Sequence, residues 1–166
     1  MNNKLSPAIV CGFAAAVLTI IPGLKSFACC LIIPFAVYLA MIINQKINGL
    51  HKISPSEGIV VGIFTGLFAA LFGTFLEVAI TWITKSNDLV ASYPEFEKSI
   101  HTLPAQEIFK ESLRMIQDMI REISTQGFSL RYTSFLLIGN TFINVIFGMI
   151  GGLVSMAIIN RKSSVQ

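Results

Sequence analysis

Charged residues are scarce in this sequence. Only 13% of its 166 residues are charged, whereas 54% are hydrophobic, and the mean hydropathy is +0.72. A soluble domain carries about 25% charged residues. The apolar residues also come in long runs instead of recurring with the period of a soluble core. These properties argue against a soluble enzyme or a nucleic-acid-binding domain and indicate an integral membrane protein.

Residues that build catalytic or metal sites are also scarce. The three cysteines are Cys11, Cys29 and Cys30, with no C-x-x-C spacing, and they are typical of small packing residues in membrane helices. His51 and His101 are predicted to lie on opposite sides of the membrane, so they cannot form one site. No nucleophile is paired with a base. We therefore predict no enzyme activity, no cofactor and no metal.

Four apolar segments are long enough, or nearly so, for the ~20 residues of a spanning helix. They cover residues 5–24, 27–43, 58–83 and 133–159, and a polar insert at 84–132 separates the last two. Apolar sequence continues directly after the first segment, so we interpret it as a retained helix and not a cleaved signal peptide. The predicted fold is an all-α integral membrane protein with four transmembrane helices in one membrane domain.

The distribution of basic residues predicts the orientation. In a four-helix topology the N-terminus, the second loop and the C-terminus share one side, and the short first loop lies on the other. The shared side holds Lys4, Lys46, Lys52, Arg161 and Lys162, against Lys25 in the first loop. Because short cytoplasmic loops are rich in Lys and Arg, both termini should be cytoplasmic and the insert should face outward. The net charge of +3 reflects this asymmetry and not a nucleic-acid partner.

The insert contains an amphipathic pattern at 104–124. With ~100° per residue, its apolar residues cover one face of a helix and its charged residues cover the other. The apolar set is Ile108, Phe109, Leu113, Met115, Ile116, Met119, Ile120 and Ile123. Two alternatives stay open: the helix lies on the outer membrane surface or caps the bundle, or it docks a partner or a second copy. Pro94 and Pro104 are expected to break the insert into short helices.

The third segment contains one ionisable residue, Glu77. On a helical wheel, Gly58, Gly62, Gly66 and Gly73 lie on one stripe, and Glu77 continues that stripe at its outer end. Small residues in membrane helices mark places where another helix approaches closely. Glu77 should therefore face protein instead of lipid.

The fourth segment carries a matching stripe, formed by Asn140, Asn144, Gly148 and Gly151. At ~1.5 Å per residue, Asn140 and Glu77 lie at similar depth on their two helices. We therefore predict that Glu77 is within hydrogen-bonding or single-water reach of Asn140, in a polar cluster that also includes Asn144.

The role of Glu77 has three open interpretations. A carboxylate at the bilayer centre costs ~2.5–3.5 kcal/mol on insertion scales, and less near the interface. Glu77 could be a helix-packing carboxylate, a proton or cation site, or a contact for a lipid headgroup or a partner. Transporters usually contain more than one intramembrane ionisable group, which favours the packing role.

The sequence resembles an uncharacterised bacterial family of small four-helix inner-membrane proteins. The resemblance rests on "ISPSEGIVVGIFTGLFAALFG" at the third helix, "YPEFEKS" soon after it, and a helical insert before the last helix. It implies architecture and location in the inner membrane, and it carries over no catalytic residue.

Together these patterns predict a non-enzymatic inner-membrane protein that associates with itself or is an accessory subunit of a membrane complex. The alternative is a small transport or channel component that uses Glu77 as its proton or cation site. An enzyme acting on lipid ranks third, because membrane enzymes normally gather several polar groups at one depth.

Overall fold

The chain is helical throughout the part that the structure describes. The structure is a computed structural model and describes residues 5–21, 23–49, 52–101 and 106–163. Its α-helices are α1 (Leu5–Ile20), α2 (Ile33–Asn48), α3 (Pro55–Thr84), α4 (Asp88–His101), α5 (Gln106–Gln126) and α6 (Leu130–Ser163). A 3₁₀ turn at Lys25–Phe27 and a π-helical segment at Ala28–Ile32 precede α2.

In the described part of the chain, three stretches are long and apolar enough to cross a membrane. They are Lys25–Asn48, Pro55–Thr84 and Leu130–Arg161. The first helix, α1, is a shorter apolar helix of 16 residues, which corresponds to about 24 Å. The structure therefore describes an all-α protein with several candidate membrane spans.

The helix ends differ from the predicted bounds for local reasons. The predicted first segment continues to residue 24, but α1 ends at Ile20, since Pro22 disfavours a helical backbone at the residue before it. The second was expected to end at residue 43, but α2 continues to Asn48, where Gly49 follows in the left-handed conformation at φ 61°. Hydropathy marks the apolar part of a helix, whereas capping residues mark its end.

The start of α3 has a capping box. The Glu57 backbone N–H donates to Ser54 Oγ at 3.2 Å, and the Ser54 backbone N–H donates to Glu57 Oε2 at 3.1 Å. Pro55 is the first helical residue, where its missing N–H costs nothing. The motif begins the helix before its apolar run and explains why α3 starts at residue 55.

The structure divides into two compact units, Met1–Leu76 with Leu137–Gln166, and Glu77–Leu136. In the first unit, α1 and α3 approach at Gly12, where an added Cβ would lie 2.8 Å from Phe68 Cβ. Phe13 and Phe72 then meet edge to face, with ring centroids 5.3 Å apart. Ile33, Val37 and Met41 of α2 are almost fully buried in the same core.

The closest helix contact in this unit joins α3 and α6. An added Cβ at Gly58 would lie 2.9 Å from the carbonyl oxygen of Gly152, and one at Gly62 would overlap the carbonyl oxygen of Gly148. Gly66 lies in the same way against the carbonyl oxygen of Asn144. Numbers rise by four along α3 as they fall by four along α6, so the helices cross antiparallel with their backbones in contact.

The second unit contains a hairpin of α4 and α5. The Gln117 side-chain amide donates to Tyr93 Oη at 2.8 Å, and the Tyr93 hydroxyl donates to Glu97 Oε1 at 3.0 Å. Partial burial and the Glu97 carboxylate raise the pKa of Tyr93, which keeps its hydroxyl a proton donor. Met119 and Ile123, one turn apart on α5, are buried.

Two features of this hairpin bear on the predicted insert. Pro94 was expected to break the chain, but it lies inside α4, where the helix loses one backbone hydrogen bond and continues. Residues 104 and 105 of the predicted amphipathic helix, and the side chains of Ile108 and Phe109, lie outside the described residues. The described helix ends two residues later than predicted, because Gly127 follows Gln126 at φ 76° and its N–H donates to the carbonyl oxygen of Ile123.

The contact between α3 and α6 predicts different effects of two glycine substitutions on the stability of the folded chain. Gly62→Ala places a methyl group against the α6 backbone and should cost ~1–3 kcal/mol, because neither backbone can move away cheaply. Gly139→Ala on α6 meets nothing within 4 Å and should be neutral or mildly stabilising. Thermal unfolding in detergent should show a Tm lower by several degrees for the first variant only. Equal Tm values would contradict a backbone contact at Gly62.

Candidate functional site

Glu77, the carboxylate of the apolar helix α3, is hydrogen-bonded to a tyrosine. The Tyr132 hydroxyl donates to Glu77 Oε1 at 2.9 Å, and both side chains are half-buried. Glu77 belongs to α3 and Tyr132 to the first turn of α6, within the second unit. A bond from a neutral donor to a carboxylate is stronger than one between neutral groups. The bond gives the carboxylate a partner that stabilises its charge in an apolar helix.

The beginning of α6 positions Tyr132. Ser129 directly precedes the helix, and its Oγ accepts a hydrogen bond from the Tyr132 backbone N–H at 3.4 Å. The Ser129 carbonyl oxygen accepts the Thr133 N–H at 3.0 Å. Ser129 is almost completely buried, and it acts as a cap that fixes where the tyrosine leaves the backbone.

Asn140 binds a residue of α3 other than the predicted one. Its side-chain amide donates to Thr74 Oγ1 at 3.1 Å, within the first unit. Thr74 is buried and lies one helical turn before Glu77 in the sequence. The predicted contact between Glu77 and Asn140 stays a prediction.

The glycine contacts give the register of α3 and α6 within the first unit. They pair Gly62 with Gly148 and Gly66 with Asn144. Continued by one four-residue step, this register places Asn140 level with Ala70. The predicted match in depth between Glu77 and Asn140 stays a prediction.

The remaining stripe residues have separate neighbours. Asn144 contributes its backbone carbonyl to the contact with Gly66. Gly73 faces α1, with Thr19 Oγ1 3.9 Å from an added Cβ, and Gly151 faces α2, with Pro34 Cα at 2.7 Å. The predicted stripes therefore divide between three neighbouring helices.

Two participants were missed in the sequence. Gly152, and not its neighbour Gly151, lies against Gly58. The spacing of four in Asn144, Gly148 and Gly152 matches that of Gly58, Gly62 and Gly66, and this signal could have identified it. Tyr132 is the second, and no spacing rule in the sequence connects it to Glu77.

Metal-binding groups are not gathered in the described part of the chain. No three His, Cys, Asp or Glu residues there lie close enough together to hold an ion. Cys11 is buried in α1, and the adjacent Cys29 and Cys30 lie in the π-helical segment. The hydrogen-bonded pairs Glu77–Tyr132 and Asn140–Thr74 each join α3 to α6.

A double-mutant cycle tests the pair of Glu77 and Tyr132. Tyr132→Phe, Glu77→Leu and the double variant should give a coupling energy of about 1 kcal/mol. This value lies between the ~0.6 kcal/mol average for membrane hydrogen bonds and the ~1.5–3 kcal/mol of bonds to charged groups in water. Reversible unfolding in mixed micelles supplies the free energies. Glu77→Gln keeps an oxygen acceptor and should retain most of the stability, and strictly additive losses would contradict the bond.

Comparison with known proteins identifies no family. No family model, no curated protein and no solved structure matches the chain. The resemblance to small four-helix inner-membrane proteins therefore stays a prediction.

Proposed function

We propose that this protein is a non-enzymatic, multi-pass protein of the bacterial plasma membrane that acts by association. In this proposal α1, the Lys25–Asn48 stretch, α3 and α6 cross the bilayer, both termini are cytoplasmic, and the α4–α5 hairpin faces outward. The partner is a second copy of the chain or a larger membrane complex. The observation that carries the proposal is that the intramembrane polar groups bind neighbouring helices, as Glu77 does with Tyr132 and Asn140 with Thr74.

A contact at the end of α6 supports the proposed topology. The Asn160 side-chain amide donates to the Ile53 carbonyl oxygen at 2.8 Å, and the Ile53 N–H donates to Asn160 Oδ1 at 2.9 Å. The bonds tie the segment before α3 to the last turns of α6. Lys52 and Arg161, which are next to these residues in the sequence, therefore belong to the same end of the first unit. This agrees with their assignment to one side of the membrane by the distribution of positive charge.

The surface for association lies in the hairpin and not in the glycine stripes. Gly58, Gly62 and Gly66 are occupied by α6 of the same chain, so they offer no surface to a second copy. On the hairpin, Phe96 of α4 is 46% exposed and Met115 of α5 is 44% exposed. Large apolar side chains left outside the apolar helices are typical of contact surfaces. The exposed side chains of the hairpin, and not the glycines of the apolar helices, therefore support the proposed association.

The hairpin surface predicts a loss of assembly on charge insertion. The full chain, extracted in mild detergent, should elute as an oligomer or with a partner protein, as measured by light scattering and native mass spectrometry. Phe96→Glu and Met115→Glu should each weaken that assembly at least tenfold, because a buried unpaired carboxylate is costly at an interface. Ser124→Glu is the control, since it lies nine residues from Met115, on the opposite side of α5. A strictly monomeric, partner-free chain would contradict the proposal.

The transport alternative gives a separate prediction. If Glu77 serves packing, liposomes containing the wild-type chain and those containing Glu77→Gln should show the same proton and cation leak as empty liposomes. A pH-sensitive dye and a potassium-selective dye inside the vesicles measure the leak. Flux through the wild-type chain that Glu77→Gln abolishes and Glu97→Gln leaves intact would establish the transport function instead, because Glu97 lies in the hairpin and not in an apolar span.

A further inference from the structure

An apolar groove of about 310 Å³ runs along the hairpin of α1 and α2. Its lining includes Ala14 and Leu18 of α1, Leu24 in the turn, and Leu31 and Phe35 on the other side. Leu31 and Phe35 are 66% and 59% exposed, so the described chain does not cover them. We propose that this groove binds one acyl chain of an anionic phospholipid, with the lipid phosphate next to Lys25.

The π-helical segment shapes the groove. The Ile33 N–H donates to the carbonyl oxygen of Ala28, five residues earlier, which makes this turn wider than an α-helical one. Pro34 follows and has no N–H with which to continue an α-helical pattern backward. Leu31 and Ile32, which end the wide turn, both line the groove. Such π-turns are rare and are frequently found at functional sites.

The dimensions of the groove favour a lipid chain over a second copy of the protein. A helix with its side chains is ~10–12 Å across, and a stable protein interface buries at least ~1,200 Å². A volume of about 310 Å³ lies at the lower end of the ~300–1,000 Å³ typical of small-molecule sites. One flexible hydrocarbon chain can fill such a space without a protein interface around it.

Charge at the end of the groove identifies the headgroup class. Lys25 directly follows Leu24, a lining residue, and its side chain is exposed. A lysine at a membrane surface attracts anionic headgroups, with an effect of about fivefold in affinity for one charge. The inference rests on the proposed function, because it requires α1 and α2 to lie in the bilayer with Lys25 at its surface.

Photo-crosslinking of the full chain tests the site. The chain is reconstituted in vesicles that contain phosphatidylglycerol with a diazirine in one acyl chain, irradiated, and analysed by peptide mass spectrometry. Adducts should be at least fivefold more abundant at Leu18, Leu31 and Phe35 than at Ile138 and Phe142, two apolar residues of α6 whose exposed fractions are no smaller than those of the groove residues. Even labelling at the two sets means bulk lipid only and overturns the inference. Crosslinks from the groove to another copy of the chain also overturn it.

Matched variants separate the groove from the surrounding lipid. Ala14→Trp fills the groove and should lower its adducts at least fivefold, whereas Ala157→Trp, at an exposed alanine of α6, should leave them unchanged. Lys25→Gln should lower labelling by phosphatidylglycerol about fivefold, with little effect on a phosphatidylcholine probe. Equal labelling of the two tryptophan variants, or no effect of Lys25→Gln, overturns the inference.

Cell fractionation distinguishes failure of this site from failure of the proposed function. A chain found in the soluble fraction overturns both proposals. A chain that stays in the membrane after carbonate washing, but whose groove is not labelled, overturns only the lipid site.

Discussion

The backbone contact between α3 and α6 is the constraint on which the packing of the first unit depends. Inside a bilayer, helices gain little from the hydrophobic effect, because lipid tails are as apolar as the side chains that they would replace. Association then depends on close packing, and glycines at Gly58, Gly62 and Gly66 let two backbones meet. This contact fixes the register, and the register brings Thr74 to Asn140 and Ile53 to Asn160. A shift of one turn would separate both polar pairs.

The same contact decides which surfaces remain for other molecules. Because the glycines are covered by a helix of their own chain, the first unit presents mainly large apolar side chains, such as Phe75 and Phe142, which suit a lipid environment. The apolar groove between α1 and α2 is formed where the 3₁₀ and π-helical turns depart from regular α-helical packing. In the second unit, by contrast, the large apolar side chains of Phe96 in α4 and Met115 in α5 are exposed beside charged residues of the hairpin. A lipid ligand and a protein partner therefore suit different parts of the chain.

Much of the fold follows from local sequence patterns, and the rest depends on packing that the sequence does not display. The apolar runs predict the long helices, and the Ser54–Glu57 capping box predicts where α3 begins. The small-residue stripe predicts a close helix contact, and Gly58, Gly62 and Gly66 do meet α6. The register between helices could not be read from hydropathy, which measures the apolar length of a helix and not its alignment with a neighbour. Pro94 gives a second example. Proline disfavours the interior of a helix, yet Pro94 lies within α4, next to Tyr93 and its hydrogen bond to Gln117 of α5.

Glu77 illustrates how a polar residue can be accommodated in an apolar helix. A carboxylate costs less near a membrane interface than at the bilayer centre, and the Tyr132 hydroxyl offsets part of the cost of Glu77 in an apolar helix through one hydrogen bond. Tyrosine suits this position because its ring tolerates the apolar region while its hydroxyl needs a polar partner. The carboxylate supplies that partner, so each residue satisfies the other where neither water nor lipid tails would do so fully. The pair therefore gives α3 and α6 a specific polar contact within the second unit.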